Sequence, residues 1–311
     1  MKKSETNGKS IHGKTHSKKG GLYILWEYKL AYLFLLPSVI LLIFFLVAPL
    51  ISGICMSFQK ISLKGISEFV GFQNYRLLIG EERFRNNLLL SVLYVAGNIG
   101  LSVPLAYAAA LLITGKFRGT SFFRVIFLFP FIVAPVISAI LFRSMMNPSF
   151  GPITALLEMI TGKRYIILAD PTLAMLTIIG HSFWRSFSFI MLFLAAGIAT
   201  IPSELYEAAK MDGAGAWAKF KSITFPLTKI HLAIVLLIIT MWTVQDAETV
   251  YALTGGGPGY STEVTAVRLF KDAFINFNLS YGATIGVFLL MLSAVFMVLY
   301  FNLMMRGEGH F

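Results

Sequence analysis

The sequence is short of charged residues, since Asp, Glu, Lys and Arg together make up 13% of its 311 residues. A soluble domain carries about 25%. Apolar residues make up 57% and are gathered in long blocks instead of being spread at amphipathic spacing. This composition excludes an ordinary soluble protein, and the short apolar/polar alternation of a membrane β-barrel is also missing.

The apolar blocks are long enough to cross a bilayer as helices, which takes about 20 residues. Helices are required because lipid offers no hydrogen-bond partner to an open backbone. We therefore predict an all-α polytopic membrane protein with six transmembrane helices, at about residues 30–57, 88–114, 121–145, 172–200, 230–253 and 280–304.

The formal net charge of +11 could indicate a nucleic-acid partner. The basic residues lie beside the apolar blocks, however, where they set the orientation of membrane helices. Their density predicts a multi-pass protein of a bacterial or archaeal cell membrane with both termini cytoplasmic, and no nucleic-acid partner. Residues 1–29 are basic and polar, which predicts a disordered tail. The block that follows is too long for a signal peptide and ends without an A-x-A site.

Several kinds of chemical site are missing. The single cysteine, Cys55, excludes an intramolecular disulfide framework and a multi-cysteine metal site. No GxxxxGK[ST] phosphate loop, HExxH or GxSxG motif occurs, and the glycine-rich run 254–259 lacks the Lys-Ser/Thr ending. His181 and His231 stand alone, as packing histidines do. We therefore expect no enzyme activity and no bound cofactor in this chain. The glycine-rich run is expected to form an external turn.

The loop at 201–229, between the fourth and fifth predicted helices, has a local structure of its own. Ser203 is placed to cap a short helix, and Glu204 and Glu207 favour its first turns. Gly213 and Gly215 allow a change of direction before a second short helix at about 216–222. The loop is predicted to form a compact knob on the cytoplasmic face.

The same loop carries a motif. Glu207-Ala208-Ala209 is followed three residues later by Gly213, and nine residues further by Ile223-Thr224-Phe225-Pro226. This resembles the EAA motif of ABC importer permeases, with Phe225 in place of a leucine. The resemblance implies a type I permease fold in which the knob docks on an ATPase subunit through Glu207, Ala208, Ala209 and Gly213, with ATP and Mg bound by that partner. From the residues alone, an interfacial amphipathic helix pair is the alternative.

Residues 36–38, 209–217 and 253–259 narrow the resemblance to maltose/glycerol-phosphate-type permeases. The chain is most similar to the larger maltose permease subunit, without its extra N-terminal helices and external domain. The resemblance implies a carbohydrate substrate, most simply an oligosaccharide, with glycerol-phosphate or polyol as the alternative. It also implies four partner subunits: a second homologous permease in a heterodimer, two ATPase subunits and an extracytoplasmic solute-binding protein. The expected organisation is a tail at 1–29, the first helix and an external loop at 30–87, the permease core at 88–304 and a cytoplasmic tail at 305–311.

Polar residues inside membrane helices are costly unless they line a cavity or find partners. By helical spacing and by position in the family, the residues expected at a substrate site are Ser182, Arg185, Ser186 and Phe189 in the fourth helix, and Trp242, Thr243 and Asp246 in the fifth. A structural Arg185–Asp246 ion pair and a merely packed Trp242 remain open.

The rival from another class is an ion-coupled secondary transporter working through Arg185, Asp246 and Glu248. It predicts inverted repeats or broken helices. We find no clear repeat, and this rival leaves the EAA-like loop unexplained. A membrane scaffold without transport leaves the intramembrane polar cluster unexplained.

Overall fold

The computed structural model describes residues 29–61, 67–115 and 120–305. Apart from Lys29 and Met305, the predicted tails at 1–29 and 305–311 lie outside these residues. The chain separates into two compact units, Met1–Ser52 and Gly53–Phe311.

The described part of the first unit is helical. It belongs to α1, Lys29–Ser57, whose last turn lies in the second unit. A π-helical turn at Ile43–Val47 interrupts the α-helical pattern. The first predicted membrane helix is therefore found within one residue of its expected start.

The second unit contains one small hairpin, in which β1 (Gln59–Ile61) pairs antiparallel with β2 (Ser67–Phe69). The rest of its described secondary structure is helical. The helices are α2 Gln73–Gly80, α3 Glu82–Thr114, α4 Thr120–Ile132, α5 Pro135–Met145, α6 Pro152–Thr161, α7 Pro171–Ala199, α8 Ser203–Met211, α9 Ala216–Leu227, α10 Lys229–Val244, α11 Ala247–Thr254, α12 Thr265–Phe270 and α13 Leu279–Met305.

In the described chain, four helices are long and apolar enough to cross a membrane: α1, α3, α7 and α13. If each of two bent helix pairs forms one span, the number of spans rises to as many as six. The α4–α5 pair is bent by 102°, and the α9–α10 pair by 67°. The predicted all-α membrane fold is thus confirmed, with up to six spans, and the bent pairs depart from the straight helices that were predicted.

The third and fifth predicted helices are both broken in the structure. The stretch expected as one helix at 121–145 stops at Ile132 and resumes at Pro135. A proline disfavours helical geometry in the residue before it, which explains the break. The stretch expected at 230–253 stops at Val244 and resumes at Ala247.

The core of the second unit lies where α3 packs along α7. Small residues let the two helices approach closely, as they do in membrane bundles. A Cβ added to Gly97 would lie 2.7 Å from the Ile179 side chain. Towards the other end of the pair, Ala106 and Ala110 of α3 belong to one buried cluster with Leu194 of α7.

Candidate transport cavity and coupling knob

A cavity of about 700 Å³ lies between the two helix breaks. Three parts of the fold form its wall: the α4–α5 break, the middle of α7 and the α10–α11 break. The lining residues are Phe131, Ile132, Val133, Ala134, Pro135, Ser182, Arg185, Ser186, Trp242, Thr243, Gln245, Asp246, Ala247 and Glu248. Irregular backbone at membrane depth is tolerated where it lines such a cavity.

Six of the seven predicted substrate residues line this cavity, and Phe189 lies behind it. The Phe189 ring packs 4.9 Å from the ring of Trp242 and 5.7 Å from the ring of Phe131, measured between centroids. Phe189 therefore supports two aromatic side chains that face the cavity.

Trp242 forms an apolar face of the cavity. Its side chain is 52% exposed, and its ring is stacked on Phe131 at 6.5 Å. The packed-core alternative for Trp242 does not fit this exposure. A fixed aromatic plane of this kind is suited to the apolar face of a sugar ring.

Asp246 is held by the protein itself. One carboxylate oxygen accepts a hydrogen bond from the Tyr94 hydroxyl at 2.9 Å, and the other accepts from the backbone N–H of Thr249 at 3.2 Å. Asp246 is the N-cap of α11, so its side chain fixes where the helix restarts after the break. These bonds hold the Asp246 carboxylate in place in the cavity wall.

The expected alternative of a direct Arg185–Asp246 ion pair is not found. Within the described residues, the ion pairs shorter than 4.0 Å join other side chains, and Arg185 makes none. A guanidinium without a carboxylate partner is costly inside a membrane unless a cavity or a ligand satisfies it. Arg185 is half-buried and lines the cavity, so its donors are available there.

A buried amide joins two walls of the cavity. Nδ2 of Asn98, in α3, donates to the Thr243 hydroxyl at 2.8 Å and to the Ser186 hydroxyl at 3.2 Å. Ser102 in turn donates to Oδ1 of Asn98 at 2.8 Å. Thr243 and Ser186 are therefore held by one fully buried side chain that comes from neither of their helices.

Sequence reasoning missed two groups of site residues. Tyr94 and Asn98 lie in an apolar run, and their partners are about 150 residues away in the chain. The other group, residues 131–135, follows a local signal that was available: Pro130 and Pro135 stand five residues apart in one predicted helix.

The predicted knob is formed by α8 and α9. Gly213 ends α8 in the left-handed conformation, with φ of +75°. Its N–H bonds the carbonyl of Lys210, and the N–H of Ala214 bonds the carbonyl of Ala209. This is a Schellman motif, and it explains the need for glycine at 213.

The local details differ from the prediction in two ways. Ser203 is the first residue of α8, and Pro202 is the N-cap with no side-chain hydrogen bond, so the predicted Ser203 cap is wrong. The second helix, α9, runs to Leu227 through a π-helical turn at Phe220–Thr224 instead of stopping at about 222.

The knob presents a mixed surface. Glu207 and Ala208 are exposed, and Ala209 is half-buried. Three large apolar side chains are also exposed: Leu205 at 43%, Met211 at 88% and Trp217 at 74%. Small residues next to exposed apolar ones favour close contact with another protein.

At the opposite end of α3, the glycine-rich run forms the predicted turn. Gly255, Gly256 and Gly259 all have positive φ. The turn leads to Glu263, whose side chain is fully buried. Glu263 accepts hydrogen bonds from Arg83 (2.8 Å from both Nε and Nη2), from Lys271 (3.0 Å) and from Asn87. Burial on its own raises the pKa of Glu263, but the bonds from Arg83 and Lys271 bring it below its ordinary value.

The two histidines of the bundle are packing residues in the structure. His181 Nε2 lies 2.9 Å from the hydroxyl of Ser138, and its ring packs on Phe142. The His231 ring packs against Gly197, where an added Cβ would lie 2.6 Å away.

The fold and sequence match known transport proteins. The chain is 32% identical over 269 residues to the sn-glycerol-3-phosphate transport system permease protein UgpA of Agrobacterium fabrum, covering 85% of this chain and 90% of UgpA. It is 31% identical over 276 residues to the trehalose/maltose transport system permease protein MalF of Thermococcus litoralis, covering 88% of this chain and 93% of that one.

A solved structure shares the fold. It is a bacterial ABC transporter involved in the import of the acidic polysaccharide alginate, with a TM-score of 0.81 at 22% identity, covering 92% of this chain and 98% of that chain. The model of the family described as "binding-protein-dependent transport system inner membrane component" matches residues 77–306. The resemblance found in the sequence is thereby confirmed: the chain is a permease of an ABC importer, and it belongs to the binding-protein-dependent transport system inner membrane component family.

Proposed function

We propose that the cavity between the two helix breaks is the passage for a carbohydrate, and that the knob connects this passage to ATP hydrolysis in partner subunits. The observation that carries the proposal is the composition of the cavity wall. It combines the exposed Trp242 ring, the unpaired Arg185 guanidinium and the Glu248 carboxylate with hydroxyl and amide groups. Hydroxyl-rich ligands need several donors and acceptors beside a flat apolar surface.

Relatives support this substrate class. The permease from Thermococcus litoralis is named for trehalose and maltose, and the one from Agrobacterium fabrum for sn-glycerol-3-phosphate. Trehalose and maltose carry many hydroxyl groups, and glycerol-3-phosphate carries hydroxyl groups beside its phosphate. An oligosaccharide matches the apolar Trp242 face better than a small polyol does, because a sugar ring has a broad face to stack.

The family of the chain and the exposed surface of its knob support a set of partner subunits. A second, homologous permease would complete the passage wall in a heterodimer. Two ATPase subunits would hold ATP and Mg and would receive Glu207, Ala208, Ala209 and Gly213 of the knob. The knob and both termini would then be cytoplasmic, and a solute-binding protein would deliver the carbohydrate at the opposite face.

The ion-coupled transporter that the sequence left open is not favoured, because the chain belongs to the ABC importer permease family, although such transporters also have broken helices at the substrate site. It would need a carboxylate that gains and loses a proton or an ion. Both oxygens of Asp246 accept hydrogen bonds within the protein, and Glu248 is the other carboxylate that lines the cavity. An ion-coupled mechanism would also leave the knob without a function.

The proposal is tested by purifying the chain with its candidate partners after replacing Gly213 by valine. Valine is strained at positive φ, so the Schellman turn should open and the ATPase subunit should be lost. The matched control is Gly215→Ala, because Gly215 has φ of −70° and open space around its Cβ position.

We expect Gly215→Ala to retain the ATPase and ATP-dependent uptake, and Gly213→Val to lose both while still inserting into the membrane. Glu207→Lys should behave like Gly213→Val. Normal ATPase retention and uptake in Gly213→Val and Glu207→Lys would contradict the docking role of the knob.

A further inference from the structure

The helix α10 is hydrogen-bonded to α3 near both of its ends. At the cavity end, Thr243 of α10 accepts from Asn98 at 2.8 Å. At the knob end, the hydroxyl of Thr228, the residue just before α10, bonds the hydroxyl of Tyr107. Thr228 and Thr243 are about 22 Å apart along a helix with a rise of 1.5 Å per residue. The segment from the knob to the cavity is therefore tied at its two ends to one neighbouring helix.

Thr228 also lies at the bend between the knob and the membrane. The helices α9 and α10 meet there at 67°. Its hydroxyl donates to the backbone carbonyl of Thr224 at 2.7 Å, and its side chain is fully buried. Tyr107 thus bonds the residue at which the chain direction changes.

The Tyr107 ring makes a second contact with the knob. It packs edge-on against Phe220 of α9, with ring centroids 5.2 Å apart. Phe220 is stacked in turn on the exposed Trp217, at 5.4 Å. The Tyr206 hydroxyl of α8 lies 3.0 Å from that of Thr224, which ties the other knob helix to the same turn. Rings and hydroxyls therefore connect the exposed surface of the knob to one tyrosine that is only 6% exposed.

We propose that Tyr107 is a positioning residue that couples the knob to the cavity: it holds the α9–α10 bend so that a displaced knob moves α10, and with it Thr243, as one body. Without the Tyr107–Thr228 hydrogen bond, a movement of the knob changes the angle of the bend at Thr228 and does not move α10. The inference rests on the proposed function, in which a partner ATPase moves the knob.

A proline in α3 gives a second reason why the Tyr107–Thr228 bond is needed. Pro104 lies within α3, between Asn98 and Tyr107. A proline removes one backbone hydrogen bond of the helix and permits a kink. The part of α3 that bonds the cavity wall and the part that contacts the knob are thus separated by a position at which the helix lacks one backbone hydrogen bond. A rigid α10 bonded to both parts makes their movements concerted.

The test uses Tyr107→Phe in the complete complex, reconstituted in lipid vesicles with the ATPase and the binding protein. This variant keeps the ring contact with Phe220 and removes the hydroxyl. The matched control is Tyr300→Phe, which deletes a tyrosine–threonine bond of 2.9 Å to Thr240 on the same α10. The measured quantities are ATPase retention, ATP hydrolysis and carbohydrate transported per ATP.

We expect Tyr107→Phe to retain the ATPase and hydrolyse ATP, with transport per ATP reduced by up to about ten-fold, the equivalent of one buried hydrogen bond. Thr228→Val, which also removes the bond to the Thr224 carbonyl, should give at least the same loss, with no further loss when Tyr107→Phe is added, and Tyr300→Phe should match wild type. Equal transport per ATP in Tyr107→Phe and wild type, or equal losses in Tyr107→Phe and Tyr300→Phe, would overturn the inference. A wild-type chain that never retains an ATPase would instead overturn the proposed function.

Discussion

Glu263 offers the sharpest test of the packing of this fold. Its side chain is fully buried and accepts hydrogen bonds from Arg83, Lys271 and Asn87. The Arg83 guanidinium also lies 3.8 Å above the Tyr260 ring. This one carboxylate therefore joins the start of α3, the glycine-rich turn and the segment after α12. We consider the substitution Glu263→Gln, which keeps the size and removes the charge.

The expected loss of stability follows from exposure. Removing one partner of a buried ion pair costs about 3 kcal/mol or more. The Arg83 side chain is 35% exposed and Lys271 is 21% exposed, so water recovers part of their solvation. A loss of about 2 kcal/mol remains, which corresponds to a Tm lower by about 4 to 8 °C.

The assay is thermal unfolding of the detergent-solubilised protein, followed by size-exclusion chromatography with fluorescence detection. The matched control is Glu158→Gln. Glu158 pairs with Arg164 at 3.9 Å, and the two side chains are 48% and 55% exposed. Such a pair contributes less than about 1 kcal/mol. Equal Tm values for Glu263→Gln and Glu158→Gln would refute the claim that the buried carboxylate fixes the turn.

A comparison of wild type with Glu263→Gln at different pH values gives a second prediction. The pKa of Glu263 is lowered in the folded state, whereas an unfolded glutamate titrates near about 4.3. The carboxylate then stabilises the fold above about pH 4.3, and this stabilisation is lost as pH falls through the lowered pKa. The Tm difference between wild type and Glu263→Gln should hold from pH 7 to pH 5 and shrink below about pH 4.3. A difference that grows on acidification would contradict the assignment.

Three further predictions concern the bundle and the cavity. Gly282→Ala should destabilise by about 1 to 3 kcal/mol, because the added Cβ would lie 2.7 Å from the Cβ of Ala273. Gly286→Ala is the control for Tm, since its Cβ meets a side chain at 3.4 Å, an ordinary contact. Trp242→Ala should lower uptake of a saturating saccharide about ten-fold or more without loss of membrane insertion, and Trp242→Phe should recover part of it; normal uptake in Trp242→Ala would remove the ring from the passage. Asn98→Leu should cost about 1 to 3 kcal/mol, because the buried Thr243 hydroxyl loses its donor, and an unchanged Tm would show that the amide is not needed to hold the walls.

The sequence predicted the spans well because apolar length is a direct consequence of bilayer thickness. Length alone does not distinguish a straight helix from a broken one, so the breaks at residues 133–134 and 245–246 were missed. The prolines at 130 and 135 marked the first break. The second has no proline, and its position is fixed by Asp246, which caps α11 through a bond visible only in three dimensions.

In the knob, too, one feature could be predicted from the sequence and others could not. The φ of Gly213 follows from the glycine itself and its position after a helix, so the turn was predictable. The Ser203 cap failed because Pro202 occupies the N-cap, which shifts the helix by one residue. Tyr107 could not be recognised, because its bond to Thr228 joins residues 121 positions apart.

The role of the chain in ATP-driven import is best tested through the energy source of transport, in vesicles that contain this chain with its candidate permease, ATPase and binding-protein partners. We expect saccharide uptake that requires ATP on the knob side and stops with a non-hydrolysable analogue. A proton or sodium gradient alone should drive no uptake. Uptake by this chain that follows an ion gradient and ignores ATP would contradict the account and would favour the ion-coupled transporter.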